Sequence, residues 1–154
     1  MVIKLRSKRL AQLFGEVWER LPEEDRALLS EWTRLVVDNP NFLPKGQIPV
    51  WGAAIGIKFR KSIAIVYLSP RKLPRQTDDF VRYVMAHELA HIFGGHTEQL
   101  LLSPLNDSTD EKSQERFELE ANKQVRVWGF PIVSPQRAPK RSQPLRKGGG
   151  FRKT

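Results

Sequence analysis

Apolar residues first recur at helical spacing. Leu10, Leu13, Phe14, Val17, Trp18 and Leu21 fall three and four apart, which predicts an amphipathic helix over about 7–20. Pro22 suits the first turn of a second helix, whose positive end Glu23, Glu24 and Asp25 complement. Leu28, Leu29, Trp32, Leu35 and Val36 form its predicted stripe, and Asn39-Pro40 its stop. Pro40, Pro44 and Pro49 make a stiff connection. Two β-rich runs follow, Val50–Phe59 and Ser62–Leu68, with Arg60-Lys61 fitting a hairpin turn. Gly52 and Gly56 weaken the first run or mark a bulge in it. A third helix is predicted from about Asp78 to Phe93, with Thr77 or Asp78 as cap and Gly94-Gly95 as stop. After a loop, Ser108-Thr109-Asp110-Glu111 has capping-box spacing and opens a fourth helix to about Trp128, closed by Gly129. The pattern predicts an α+β chain of about four helices with a small β-sheet or hairpin. One domain is expected over 1–133, with its core in 50–131, followed by a disordered basic tail over 134–154.

Composition narrows the chemistry. With 40% apolar residues in 154, the chain can bury a core. It has no cysteine, which excludes a disulfide framework, a thiolate zinc site and a cysteine nucleophile. No apolar stretch approaches the ~18 residues of a membrane span, so no membrane partner is expected and a cytoplasmic location is the default. The net charge of +9 suggests nucleic acid as a partner, but that charge is zoned. Residues 134–154 carry seven bases and no acid, and residues 45–75 likewise, whereas residues 76–133 are net acidic.

Within that acidic stretch lies His87-Glu88-Leu89-Ala90-His91, an H-E-x-x-H motif inside a predicted helix. Residues four apart share a helix face, so both imidazoles can reach one zinc ion. Glu88 sits beside that face, within reach of a water at the metal. The 3 histidines of the chain are His87, His91 and His96. A zinc site with an open position needs a third protein ligand. The candidates are His96 and a carboxylate on the fourth helix, Glu118 or Glu120. Glu118, Ala121, Asn122 and Val125 share one face, and Asn122 can hydrogen-bond a ligating histidine from outside. Glu120 projects away from that face, which favours solvent.

Residues Ile63–Pro131 resemble the ImmA/IrrE family of zinc metallopeptidases, a gluzincin group. The resemblance rests on the strand Ser62–Leu68 and on Phe80-Val81-Arg82-Tyr83-Val84-Met85-Ala86 running into His87–His96. It extends to the downstream E-x-E-A-N signature, Glu118-Leu119-Glu120-Ala121-Asn122, and to Pro131. The resemblance implies a zincin-like domain in which His87 and His91 ligate one zinc ion, Glu118 is the third ligand and Glu88 is the general base. It implies a zinc metalloendopeptidase acting on a protein or peptide substrate, often a regulatory protein. The chain departs from the family where an apolar F-A-A run is replaced by Lys123-Gln124-Val125.

Peptide hydrolysis also needs a donor for the developing oxyanion. His96, Tyr67, Tyr83 and Arg82 are the candidates. A different class of function is a nucleic-acid-binding protein with a vestigial or structural metal site. It would use Arg137, Lys140, Arg141, Arg146 and Lys147 of the tail together with Arg152 and Lys153.

Overall fold

In the computed structural model, residues 2–31, 33–39, 41, 51–58, 62–96 and 111–137 are described. The first strand, β1, is the short Val2–Lys4; its exposed residues carry no period that the sequence reading could catch. Helix α1 (Lys8–Arg20) starts where the Ser7 hydroxyl accepts from the Leu10 N–H, and its apolar face, Leu10, Leu13, Phe14 and Val17, is buried.

The second helix departs from expectation. Instead of reaching Asn39, α2 spans Glu23–Ser30, and the chain then forms strand β2 (Thr33–Val37). Trp32 lies outside the described residues. Leu35 and Val36 fit a helical stripe and an extended run equally well, since short apolar segments carry no decisive period. The β-branched Val36 and Val37 gain ladder partners on both sides, β1 and β4, and are fully buried there. Leu28, expected in the stripe, is 53% exposed.

Strands β3 (Gly52–Lys58) and β4 (Ser62–Leu68) pair antiparallel in continuous register from Gly52↔Leu68 to Lys58↔Ser62. That register leaves no bulge at Gly52 or Gly56. The expected turn at Arg60-Lys61 lies outside the described residues. The sheet order is β1-β2-β4-β3, with β1, β2 and β4 parallel and β3 at an edge. The α1–α2 pair forms the connection between the two parallel strands β1 and β2, as parallel pairing requires.

Helix α3 (Asp78–Phe93) is capped by Thr77, whose hydroxyl accepts from the Phe80 N–H, and it ends at Gly94 with Gly95 at φ +67°. It is buried around most of its circumference, by Phe80, Val81, Val84, Met85, Leu89 and Ile92 among others. Such a helix belongs in a core, and α3 packs against β3, β4, α1, α2 and the last helix, α4 (Glu111–Val127). The capping-box residues Ser108–Asp110 lie outside the described residues. From α4, Phe117, Ala121 and Val125 are buried, and the Trp128 indole N–H donates to Asp25 Oδ2 at 2.6 Å. Gly129, at φ +79°, turns the chain, and residues 130–137 run on without regular structure. There Gln136 N–H donates to Gln76 Oε1 at 2.7 Å, so the first residues of the expected tail lie against the domain. The rest of the tail, 138–154, is outside the described residues.

Among the described residues the molecule is therefore a small α+β domain of four α-helices and one four-stranded sheet. No helix in them is long and apolar enough to cross a membrane.

Candidate metal centre

The site is built where α3, α4 and the edge strand β3 converge. His87 and His91, one turn apart on α3, bring their Nε2 atoms to 3.0 Å from one another. Glu118 of α4 places Oε2 at 3.0 Å from His87 Nε2 and Oε1 at 3.3 Å from His91 Nε2. The two Nε2 atoms and the Glu118 carboxylate thus face one another closely, and these residues form a group able to hold a metal ion. Four tetrahedral ligands at ~2.0–2.1 Å from a zinc ion lie ~3.3 Å apart, close to these separations. The donor set, two imidazoles and a carboxylate, also leaves a fourth position for water or substrate.

Each histidine is held from behind. His87 Nδ1–H donates to Asn122 Oδ1 at 3.1 Å, and that oxygen also accepts from the Tyr83 hydroxyl at 2.8 Å. Asn122 therefore takes the position expected of it, with Tyr83 fixing it in turn. His91 Nδ1 lies 3.1 Å from His96 Nδ1. His96 is 3% exposed and is not one of the three clustered ligands. Its other nitrogen is 3.0 Å from Glu120 Oε2. Glu120 was expected to face solvent; its side chain is half exposed, yet its carboxylate turns inward to His96. The helical face does leave Glu120 exposed; its contact with His96 arises because the chain after Gly94-Gly95 returns a histidine to that side of α4.

Glu88 projects from the neighbouring face of α3. It is 8% exposed and accepts from the Ala54 backbone N–H on β3. Gly52 makes this approach possible: a Cβ there would lie 3.0 Å from the Tyr67 carbonyl and 3.1 Å from Glu88 Oε1. The glycine was visible in the sequence as a break in a strand pattern, but not its purpose. Ala54 gave no signal, since it acts through its backbone.

The electrostatics follow from this packing. Burial pushes the Glu88 carboxyl up, against the opposing pull of His87 and His91. Hydrogen bonds from His87 and then His91 hold Glu118 well below the usual carboxylate range. Burial works against protonation of His87, but the bond to Glu118 and the charge of Glu88 outweigh it, and its pKa lies above the ordinary 6.5. His96 is pushed down by burial and then by His91. Tyr83 is pushed up by burial, then by Glu118 and Glu88.

The three ligands and Glu88 line a cleft of about 650 Å³, whose walls include Trp51, Phe80, Tyr83 and, from the C-terminal segment, Ile132 and Val133. Of the four candidate oxyanion donors, Tyr83 and His96 line this cleft. Arg82 instead pairs with Glu16 at 2.7 Å and Asp79 at 3.2 Å. Tyr67 is buried in β4, where burial and then Asp38 raise its pKa. Of the tail bases, Arg137 is exposed, while Lys140, Arg141, Arg146 and Lys147 lie outside the described residues.

No protein-family model, curated protein or solved structure gives a significant match to the chain. The class of protein is thus defined by fold and site alone: a small α+β domain with a two-histidine, one-carboxylate group suited to a metal ion.

Proposed function

We propose that the chain is a zinc-dependent metalloendopeptidase of the gluzincin type that hydrolyses peptide bonds of a protein substrate. The observation that carries this reading is the buried Glu88 carboxylate beside three clustered ligand atoms at the wall of an open cleft. The reading accounts for the unusual cost of burying Glu88: a core carboxylate is retained where its proton affinity is used.

When bound, zinc supplies a Lewis acid that acidifies a water and polarises a carbonyl. The chain's own residues do the rest. His87, His91 and Glu118 hold the ion and leave a place open to the cleft. Glu88 takes a proton from the attacking water at its carboxylate and delivers it to the leaving amine. The Ala54 N–H steadies that carboxylate between the two transfers. Tyr83 faces the cleft, and its one O–H, which is given to Asn122 Oδ1 in this structure, would turn from that oxygen to reach a developing oxyanion. Strand β3, at the edge of the described sheet beside Glu88, suits pairing with an extended peptide; the apolar walls at Trp51, Phe80 and Val133 suit its apolar side chains. A regulatory protein is the substrate class that the family resemblance favours.

The test is metal analysis of the purified chain followed by hydrolysis of an unstructured protein such as casein. One zinc per chain and cleavage abolished by a chelator and restored by zinc are expected. A chain that takes up no zinc, or cleavage indifferent to chelation, overturns the reading.

A further inference from the structure

The two candidate zinc-ligating histidines are supported from behind in different ways. His87 leans on an amide oxygen, and an oxygen can only accept. His91 leans on another imidazole, His96, which can accept or donate. For His91 to offer its Nε2 lone pair to a metal, a neutral ring must carry its proton on Nδ1. The facing Nδ1 of His96, 3.1 Å away, must then be bare. A neutral His96 so arranged carries its proton on Nε2, and Nε2 faces an acceptor, Glu120 Oε2, at 3.0 Å. With the His91 Nε2 lone pair given to a metal, every donor in this chain meets an acceptor under this assignment.

The surroundings hold the arrangement. The His96 ring stacks on Phe117, with centroids 4.7 Å apart and planes 19° from parallel. Arg116, one turn before Glu120, lies 3.6 Å from the other carboxylate oxygen. Gly94 leaves the space: a Cβ there would sit 2.5 Å from His96 Nε2. Gly94 itself has an ordinary helical backbone, φ −75° and ψ −3°, so its glycine is explained by this contact and not by a turn.

We propose that Glu120 and His96 form a positioning relay, Glu120···H–Nε2 His96 Nδ1···H–Nδ1 His91, which fixes the tautomer and ring orientation of His91 for metal binding, and that Gly94 is the space the relay requires. The proposal rests on the reading of His87, His91 and Glu118 as metal ligands. It gives roles to three residues, His96, Glu120 and Gly94, outside the ligand set. Outer partners of ligating histidines typically contribute about 10–100-fold to metal affinity.

The test is zinc affinity of the full-length chain, measured by competition with a chromophoric chelator. The variants are His96→Phe, His96→Asn and Glu120→Ala. Phenylalanine keeps the stacking on Phe117 and removes the acceptor; asparagine loses the ring but places an amide oxygen near the lost Nδ1. The relay predicts that His96→Phe weakens zinc binding about 10–100-fold, and that His96→Asn loses far less. It also predicts that Glu120→Ala, at a half-exposed position that should not disturb folding, weakens binding by about tenfold. A role in packing alone predicts the reverse order, with phenylalanine benign and asparagine harmful. Nitrogen-detected NMR of the zinc-loaded chain should find His96 protonated on Nε2 and His91 on Nδ1. Zinc affinity equal to the parent's in both His96→Phe and Glu120→Ala, or His96 protonated on Nδ1, overturns the relay and leaves the ligand assignment intact. A parent chain that binds no zinc overturns both.

Discussion

In the proposed metal site, each metal-facing nitrogen owes its availability to the other nitrogen of the same ring. Asn122 and His96 occupy the rear positions, and Glu118 closes the group in front. Replacing Glu118 with alanine removes one of the three proposed ligands, and zinc content after dialysis should fall from one per chain to a small fraction. Gly52→Ala is a subtler case. The added Cβ meets the Tyr67 carbonyl and the Glu88 carboxylate at about van der Waals limits or closer. It should lower kcat by at least about tenfold through displacement of the base, while zinc content stays at the parent value. Proton competition gives a further expectation. The pKa of His87 lies above 6.5 in the metal-free protein, and zinc binding needs the unprotonated ring. Zinc affinity should therefore fall as pH is lowered, beginning above pH 6.5 and not below it, as chelator competition across pH 5.5–8 would reveal. The H-E-x-x-H spacing and the Glu118–Asn122 face were legible because helical geometry turns spacing directly into direction. Glu120, Gly94 and Gly52 were not, because their roles depend on which other segment arrives beside them.

Helix α3 organises the fold because it is apolar on nearly every side, and a helix of that kind must be surrounded. Its N-terminus, with a threonine cap and two acids, and its glycine stop were readable, since caps are local chemistry. The same holds for α1 and for the β3–β4 pair. The boundary between α2 and β2 was not readable. Leu28, Leu29, Leu35 and Val36 satisfy a helical stripe, and only the neighbouring strands β1 and β4 make extension of the last two worthwhile. The two arrangements differ in a measurable way. A helical stripe would bury Leu28 and Val36 alike. Here Leu28 is 53% exposed and Val36 fully buried. Val36→Ala should cost about 2 kcal/mol of stability in a urea titration, while Leu28→Ala should cost less than about 1. Equal costs would favour the longer helix.

The whole chain carries +9, but the candidate metal group sits in its acidic part. The cleft wall ends at Pro135, and Gln136 is bonded to Gln76. Removal of residues 138–154 should therefore leave zinc content and peptide hydrolysis within about twofold of the parent. It should abolish any affinity for nucleic acid that the tail confers. Such binding, followed in duplex DNA titrations, would weaken with salt at a log–log slope no steeper than about −5 for the six bases of that segment. Charge zoning was plain in the sequence; the way residues 130–137 border the cleft was not, because an irregular segment carries no period to read. The proposed hydrolysis depends on Glu88 acting beside a zinc ion that it does not itself hold. The most direct measurement is therefore the paired zinc content and casein-cleavage rate of Glu88→Gln. The variant should keep one zinc per chain and lose cleavage by at least about 100-fold; full zinc with cleavage at the parent rate would contradict the account.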